Sequence, residues 1–305
     1  MVKTKQSMAS ISSEVPLTQQ SSRLKRFVTS VTSVIRRLAA RPLSLLGLVV
    51  VILFILMAMF GSTVAPYKFD AIIKGAARQA PSVTYLFGTD KLGRDVFSRV
   101  LWGAREVITI PGIATTIAVV IGAIIGMATA YYGGWIDEVI SRLLDSLLAI
   151  PALLLALVML GVIGPSPVGI VIVIVLLYVP IVTRVIRSAT LNVRNSGFIE
   201  AAKLRGEANW YILFREILPS VLPALTVEAA LRFSYAIFLT ASLGFLGLGV
   251  QPPSPDWGRM VNEARESYAR TPWALWYPAA AIAVLVIGVN LLADGLRRIF
   301  RYEGS

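Results

Sequence analysis

The sequence contains no cysteine and no histidine, and only 15% of its 305 residues are charged. Without cysteine the chain forms no disulfide and offers no thiol nucleophile. Without histidine it offers no imidazole base and no imidazole metal ligand, which excludes serine–histidine hydrolases and most soft-metal sites. Soluble chains carry about 25% charged residues. A chain that is 56% hydrophobic is therefore predicted to be an integral membrane protein.

The charge that is present is mostly positive, with 29 Lys and Arg against 17 Asp and Glu. In a soluble protein this excess would indicate nucleic-acid binding. In a membrane protein, Lys and Arg concentrate in the loops that stay in the cytoplasm. We therefore expect membrane lipid, and no nucleic acid, as a partner of this chain.

Apolar runs predict an all-α membrane protein with six transmembrane helices. The first run, residues 43–60, would span about 27 Å as a helix, which is sufficient for the bilayer core. In the second run Gly122 and Gly126 are four residues apart; they indicate either close approach of another helix or ordinary glycine enrichment in membrane helices. The six predicted spans are residues 43–60, 107–130, 142–163, 168–183, 222–248 and 273–293.

The spans divide the chain into five parts. We predict a cytoplasmic N-terminal tail (1–42), a first transmembrane helix (43–60), an extracytoplasmic segment with short helices (61–106), a five-helix core (107–296) and a cytoplasmic C-terminal tail (297–305). Six spans place both termini on one side. Residues 1–41 hold eight Lys and Arg and residues 184–220 hold six, so these segments are predicted to be cytoplasmic.

The polar stretch at residues 200–220 interrupts the apolar back half of the chain. Asn195 or Ser196 is predicted to cap a short helix that has Glu200 in its first turn, where a carboxylate suits the helix dipole. Ala201 and Ala202 leave a smooth face for another protein. Gly206 lets the chain bend before a second helix that starts near residue 209.

The second helix carries an apolar stripe at i, i+3, i+4, i+7 and i+8. We expect this stripe to pack on the bundle, which leaves residues 200–206 to face a partner. The alternative is an ordinary amphipathic surface loop. The stripe consists of Trp210, Leu213, Phe214, Ile217 and Leu218.

Two charged residues lie deep in the fifth span. Glu228 precedes Arg232 by four residues, the favourable order for an ion pair on a helix, and an unpaired charge there would cost at least about 2.5 kcal/mol. The pair either lines a water-filled path or fixes the bundle. Asp145, near the start of the third span at its cytoplasmic end, is predicted to be solvated or to contact Arg142.

Four motifs resemble those of ABC importer permeases of the dipeptide/oligopeptide/nickel (DppC/OppC) type. The polar stretch resembles their EAA loop, with Glu200-Ala-Ala, Gly206 and Ile217-Leu-Pro219. The other three are Phe87-Gly-Thr-Asp-Lys-Leu-Gly-Arg-Asp-Val-Phe-Ser-Arg99, Phe245-Leu-Gly-Leu-Gly-Val-Gln-Pro-Pro-Ser-Pro-Asp-Trp-Gly258 and Asn290-Leu-Leu-Ala-Asp-Gly-Leu-Arg297. The resemblance covers residues 43–298.

The resemblance implies the type I importer permease fold in a bacterial inner membrane. It implies a second, homologous permease, two ATPase subunits that hold ATP and Mg²⁺, and an extracytoplasmic substrate-binding protein. The chain would be a transport subunit without a cofactor of its own. The residues that would receive the ATPase motion are Glu200, Ala201, Ala202 and Gly206.

The cargo that the resemblance implies is a dipeptide, an oligopeptide or a peptide-like solute. Nickel, glutathione and opine-like solutes are the alternatives, with nickel disfavoured by the lack of His and Cys. Thr240 stands where the family commonly has a glutamate, and it joins Glu228 and Arg232 as a candidate for the translocation pathway.

A more distant alternative is a stand-alone secondary transporter or channel. Such a protein needs ionisable groups deep in several spans, whereas only Glu228 and Arg232 lie deep here. An intramembrane enzyme is disfavoured because no His, Cys or paired carboxylates are available. The chain also lacks a GxxxxGK[ST] motif, so ATP hydrolysis must come from a partner.

Overall fold

A computed structural model describes residue 38 and residues 41–302 of the chain. Nearly all of the predicted N-terminal tail (1–42) lies outside the described residues. The described helices, in chain order, are α1 (Pro42–Val64), α2 (Val96–Tyr132), α3 (Gly134–Leu148), α4 (Ala152–Ile163), α5 (Pro167–Val193), α6 (Gly197–Leu204), α7 (Asn209–Phe245), α8 (Trp257–Arg265) and α9 (Trp273–Tyr302).

The described residues contain helices and no strand, which confirms the all-α prediction. Helices α1, α2, α5, α7 and α9 are long and apolar enough to cross a membrane, and α3 with α4 gives the sixth candidate. The third span was predicted as one helix over residues 142–163, and this is wrong. A break at Ala149–Pro151 bends the chain by 86°, because proline disfavours helical geometry in the residue before it.

Helices α2 and α5 pack closely at the two glycines of the second span. A Cβ on Gly122 would lie 2.7 Å from the Cβ of Val182, and one on Gly126 would lie 2.6 Å from the carbonyl oxygen of Thr183. A side chain at either position would collide with α5. The predicted close approach of a helix at these glycines is confirmed, and α5 is the helix that approaches.

Several helices extend beyond the predicted spans. Helix α2 begins at Val96, before the predicted start at 107, because the Asp95 carboxylate accepts a hydrogen bond from the Ser98 N–H and caps the helix. Helix α5 continues past Pro180 to Val193, so residues 184–193 belong to a helix and not to a loop. Helix α9 continues to Tyr302 through most of the predicted tail 297–305.

Residues 65–95 contain no helix, although short helices were predicted there. Backbone and side-chain hydrogen bonds hold the segment instead. The Thr89 Oγ1 accepts from the Gln79 N–H at 2.8 Å, and the indole of Trp273 donates to the Thr89 carbonyl at 3.0 Å. The ring of Phe87 stacks on Tyr277 with centroids 3.9 Å apart. Glycines and prolines prevent regular helix here, and tertiary contacts provide the order.

A network of charged side chains joins this segment to α8. Arg99 donates to Asp90 at 3.0 Å and to Glu263 at 3.1 Å, and Arg94 bonds the same two carboxylates at 2.6 and 2.7 Å. Arg259 adds a third cation to Glu263 at 3.2 Å. Burial alone raises the pKa of Glu263, but Arg99 and Arg94 outweigh it and hold that pKa below its usual range.

Helix α8 is pressed between α2 and α7 through glycine contacts. A Cβ on Gly258 would lie 2.2 Å from the Ala241 carbonyl oxygen, and one on Gly103 would lie 2.3 Å from that of Pro255. The indole of Trp257, fully buried, donates to the Val100 carbonyl at 3.0 Å. The end of the bundle with residues 65–95 and α8 is therefore rigidly packed.

Candidate functional site

The candidate site is residues 197–206, which we call the coupling segment. It lies at the C-terminal end of α2, whereas residues 65–95 and α8 lie at the N-terminal end. Gly206 ends α6 in the left-handed conformation with φ +74°. Its N–H donates to the Lys203 carbonyl at 3.0 Å, and the Glu207 N–H donates to the Ala202 carbonyl at 3.2 Å. This bond pair is the Schellman helix end. The bend predicted at Gly206 is present, and it directs the chain from α6 into α7.

Helix α6 starts at the predicted place but with a different cap. Ser196 occupies the cap position, yet its hydroxyl donates to the Val193 carbonyl at 2.5 Å and makes no bond to the first turn of α6. The predicted side-chain cap is therefore wrong for Ser196. Glu200 lies in the first turn, as expected, and its side chain is exposed. The carboxylate thus faces outward at the positive end of the helix dipole.

The two alanines of the EAA motif have different environments. Ala201 is exposed, whereas Ala202 is fully buried. Ala202 belongs to a core cluster that includes Ile199, Ile212 and Ile217. The prediction that Ala202 offers its face to a partner is wrong. Its small side chain instead lets α6 lie close against α7, and only one side of α6 remains for a partner.

The apolar stripe predicted on α7 is also wrong in part. Residues Ile212–Ile217 form a wide π-helical turn, and the two residues that bound it are fully buried. Trp210 and Phe214 are instead 65% and 44% exposed. A π-helical turn brings residues five apart onto one face, so a count based on the α-helical period selects the wrong side.

The exposed side of this region combines apolar and charged groups. Leu204 is 89% exposed and Phe198 is 45% exposed, and Trp210 lies nearby in sequence. Arg205 reaches Glu207 at 3.4 Å and Glu216 at 3.7 Å across the bend. Large exposed apolar groups surrounded by charges are typical of protein interfaces. Sequence reasoning placed Trp210 in the buried stripe because of its helical period, and it did not single out Phe198 or Leu204.

The coupling segment and the residues that flank it contact the end of α2, which sequence reasoning also missed. The Tyr131 hydroxyl donates to the Asn209 Oδ1 at 3.0 Å, and the Lys203 ammonium lies 5.3 Å from the centre of the Tyr131 ring. Arg194 donates to the Ala130 carbonyl at 2.8 Å. No sequence spacing predicts these contacts, because they join positions more than sixty residues apart.

The charged pair in α7 forms as expected. The Arg232 Nε lies 2.8 Å from the Glu228 Oε1, and both side chains are largely buried. The guanidinium also lies 4.9 Å from the centre of the Tyr235 ring and 5.6 Å from that of Tyr178 on α5. The aromatic faces attract the guanidinium, and this cation–π attraction is stronger where water is scarce.

Thr240 is the third candidate pathway residue, two turns further along α7. It is 2% exposed, and its Oγ1 has no hydrogen-bond partner in the part of the chain that the structure describes. Thr240 lies on the same helix as the charged pair, and no hydrogen bond among the described residues joins them. Among the described residues, no group of three or more Asp and Glu is placed to hold a metal ion.

The comparisons with known proteins agree with this geometry. Residues 118–301 match the family described as the binding-protein-dependent transport system inner membrane component, which covers more than half of the chain. The chain belongs to this family. Residues 31–81 also match the N-terminal transmembrane domain of oligopeptide transport permease C. The chain is therefore a permease subunit of an ABC importer, and its role is transport.

Several curated relatives match over most of their length. The chain is 39% identical to the dipeptide transport system permease protein DppC of Alkalihalophilus pseudofirmus, over 86% of each chain. It is 38% identical to the glutathione transport system permease protein GsiD of Escherichia coli, over 86% of this chain and 87% of the relative. It is 36% identical to the probable D,D-dipeptide transport system permease protein DdpC of Escherichia coli, over 85% and 87%.

The permease fold is shared with a solved transporter. The inward-facing MetNI methionine ABC transporter matches with a TM-score of 0.54 at 19% identity, over 67% of this chain and 95% of the other. This likeness confirms the type I importer permease fold. A binding-protein-dependent permease of this family is a multi-pass inner-membrane protein that works with ATPase subunits and a substrate-binding protein.

Proposed function

We propose that this permease imports dipeptides, oligopeptides or similar peptide-like solutes. Its relatives at 36–39% identity are named for dipeptides, D,D-dipeptides and glutathione, all of which are short peptides. Nickel remains a disfavoured alternative, because the chain has no His or Cys and nickel is bound well by imidazole and thiolate.

The coupling segment is the proposed ATPase contact, and its exposed surface is the observation that carries this proposal. Glu200, Ala201 and Leu204 face outward on α6, and Gly206 sets the bend behind them. Burial of Ala202 on the other side fixes α6 to α7. A force on α6 is therefore transmitted to α7 and, through Tyr131, to α2.

The proposed partners are assigned to two surfaces, the coupling segment and the exposed apolar side of the broken span. We place two ATPase subunits, which hold ATP and Mg²⁺, on the coupling segments of this chain and of a second, homologous permease in a heterodimer. Exposed apolar residues on the broken span support a helix partner there: Trp135, Val158 and Val162 are 74%, 65% and 84% exposed.

The orientation that fits this assembly has both termini in the cytoplasm. The coupling segment and Arg297 at the end of α9 then lie on the ATPase side, in agreement with the positive charge of residues 184–220. Residues 65–95 and α8 then lie outside, where a substrate-binding protein delivers the cargo. The cargo crosses by alternating access, a shift between outward-facing and inward-facing populations.

The test is peptide uptake by the complete transporter in liposomes. Glu200→Lys and Gly206→Glu are each expected to leave membrane insertion intact and to abolish the stimulation of ATP hydrolysis by loaded binding protein. Glu138→Lys, which reverses an exposed glutamate outside the coupling segment, is the matched control and is expected to behave as wild type. Normal uptake by both coupling variants contradicts the proposal.

The pathway role of Glu228, Arg232 and Thr240 is a separate part of this proposal. A buried charge pair at membrane depth is costly and is typical of transport pathways, and the Tyr235 ring beside Arg232 is 54% exposed. Arg232→Lys keeps the charge but loses the planar guanidinium between the two rings. We expect this variant to change cargo preference while ATP hydrolysis stays coupled, as measured by competition between peptides.

Glutathione is the second candidate cargo, because a glutathione permease matches nearly as well as a dipeptide permease. Calorimetric binding to the cognate substrate-binding protein separates the candidates. Tight binding of dipeptides with no binding of glutathione supports the first proposal, and the reverse result supports the second.

A further inference from the structure

Helix α3 is weakly attached to the bundle by apolar contacts. None of its residues is fully buried. Its outward face carries Trp135, Val139 and Leu143, which are 74%, 55% and 62% exposed. Apolar packing within this chain is therefore limited at α3, and polar contacts add to it.

Two ion pairs join α3 to α5, and we call them together the α3 latch. The Arg187 Nε donates to the Asp137 Oδ1 at 2.5 Å and its Nη2 donates to the second oxygen, so this pair is bidentate. Arg184 donates to Asp145. Of the two predicted environments of Asp145, the contact with Arg142 is not formed, because Arg142 pairs with Glu138 on the surface of α3. The other, an exposed and solvated side chain, is present, since Asp145 is 58% exposed.

The spacing of the latch residues shows that α3 crosses α5 at an angle. Asp137 and Asp145 are separated by about 12 Å along α3, whereas Arg184 and Arg187 are separated by only about 4.5 Å along α5, at 1.5 Å per residue. The two flexible arginine side chains make up the difference. The two ion pairs therefore bridge the crossing of α3 over α5.

Both ends of α3 have the geometry of a hinge. Gly133 and Gly134 join α2 to α3 with φ of 64° and 59°, a conformation that only glycine adopts readily. A Cβ on Gly134 would meet nothing within 4 Å. At the other end the chain bends by 86° before Ala152. Both ends of α3 therefore interrupt the helix, so a change of direction at either end would leave α3 itself intact.

One hinge adjoins the contact with the coupling segment. Tyr131, which bonds to Asn209 and lies beside Lys203, is two residues before Gly133. Arg194, which bonds to the Ala130 carbonyl, has its Nη1 3.5 Å from the place of a Cβ on Gly133. Movement of the coupling segment is thus applied directly beside the hinge of α3.

Part of the space between α3 and α5 is polar, and another part is apolar. A cavity of about 300 Å³ lies in the polar part, lined by Ser141, Thr183 and the latch residues Asp145, Arg184 and Arg187. Thr183 is 2% exposed, and its Oγ1 makes no hydrogen bond within the described residues. Opening the polar part exposes these groups, so water can enter it when α3 moves. A second cavity of about 460 Å³ is lined by apolar side chains, which include Leu144 and Leu147 of α3.

We propose that the α3 latch positions α3 for transport: it is closed in this state and opens when the coupling segment moves, and α3 then swings on its two hinges. The proposal rests on the proposed role of the coupling segment. The latch would be the element with two states that coupling between distant sites requires. Asp137 and Arg187 are its principal positioning residues, because their pair is bidentate and is less exposed than the other pair.

The first test is the number of peptides transported per ATP by the complete transporter in liposomes. Asp137→Asn removes the charge and keeps the size of the side chain. Peptides transported per ATP are expected to fall by about tenfold, within the range of known coupling effects, while assembly with the ATPases is retained. Glu138→Gln, the neighbouring exposed residue, is the matched control and is expected to keep the wild-type ratio.

A charge swap separates pairing from a general structural role. Asp137→Arg combined with Arg187→Asp exchanges the two partners, and each single change places like charges together. The single variants are expected to be uncoupled and the double variant to recover at least about half of the wild-type ratio. A wild-type ratio in Asp137→Asn, or no recovery in a double variant that assembles normally, overturns the proposal.

Cross-linking tests the movement itself. The chain has no natural cysteine, so Ser141→Cys with Thr183→Cys places two thiols on the same cavity. A short thiol cross-linker is expected to stop uptake in the double variant and not in either single variant. Uptake at the wild-type rate in the fully cross-linked transporter shows that α3 does not move and overturns the proposal.

The coupling-segment variants make the two proposals distinguishable. If Glu200→Lys and Gly206→Glu transport normally, the proposed function of the coupling segment is wrong. If they are uncoupled while Asp137→Asn keeps the wild-type ratio, the α3 latch alone is wrong.

Discussion

Both ends of the helical bundle use arginine–carboxylate pairs, and they bury those pairs to different extents. At the end with α8, the Arg99 side chain is 3% exposed and its partner Glu263 is 22% exposed. At the end with α3, the side chains of Arg184 and Asp145 are 63% and 58% exposed. Removing one partner of a buried pair leaves an uncompensated charge, whereas an exposed pair is replaced by water.

The glycines of the two ends also differ in how closely they are packed. Gly258 on α8 has the Ala241 carbonyl oxygen where its Cβ would be, so it serves close packing. Gly134 before α3 has open space around it and a positive φ, so it serves backbone freedom. One end is therefore closely packed and buries its ion pairs, whereas the other is loosely packed and exposes them, as the proposed movement of α3 requires.

The largest effect is expected at the buried network. Glu263→Ala leaves Arg99 and Arg94 with Asp90 as their remaining carboxylate partner, and breaking a buried ion pair costs about 3–5 kcal/mol. The purified variant transporter in detergent is expected to unfold at a temperature several degrees lower than wild type, as measured by differential scanning fluorimetry.

An exposed pair beside the network provides the control. Lys91 bonds to Glu266 at 2.7 Å, and the Glu266 side chain is 74% exposed. Glu266→Ala is therefore expected to leave the unfolding temperature unchanged. If Glu266→Ala and Glu263→Ala lower the unfolding temperature equally, burial does not distinguish the two pairs. The comparison between the buried and the exposed ion pairs would then have no basis.

The second prediction concerns the pH dependence of the rigid end. Burial raises the pKa of Asp256 to about 6, although its carboxylate accepts the Arg259 N–H at 2.8 Å. The folded state therefore holds this proton more tightly than the unfolded chain. Stability falls as the pH rises from the unfolded pKa of about 4 to the folded pKa, and above pH 6 the cost is about 3 kcal/mol at about 1.4 kcal/mol per pKa unit.

Asp256→Asn is expected to remove most of this cost. Asparagine caps helices as well as aspartate does, so its Oδ1 can accept the same Arg259 N–H without carrying charge. The variant should unfold at a higher temperature than wild type at pH 8 and at nearly the same temperature near pH 4. A lower unfolding temperature at every pH would mean that the negative charge of Asp256 stabilises this end.

The outline of the fold could be predicted because it depends on local features of the sequence. Long apolar runs indicate spans, and paired glycines indicate close approach of another helix. Five of the six predicted spans, the close approach at Gly122 and Gly126 and the bend at Gly206 all follow from a few neighbouring residues. The pairing of Glu228 with Arg232 follows in the same way, since both lie on one helix at a favourable spacing.

The parts that could not be predicted depend on tertiary contacts. The wide turn Ile212–Ile217 changes which face of α7 is buried, and no residue type announces it. Ala202 has the size expected for an interface and is buried by α7. Arg187 reaches Asp137 across a long separation in sequence, and only the folded bundle brings them together.

The smallest effect is expected at the more exposed pair of the α3 latch. Asp145→Asn breaks the pair with Arg184, and an exposed ion pair contributes about 0–1 kcal/mol, so the unfolding temperature should match that of wild type. Peptides transported per ATP should fall less than in Asp137→Asn, whose pair with Arg187 is bidentate and less exposed. A drop in unfolding temperature as large as that of Glu263→Ala would show that α3 is locked in place like α8, and both ends would then have the same rigid design.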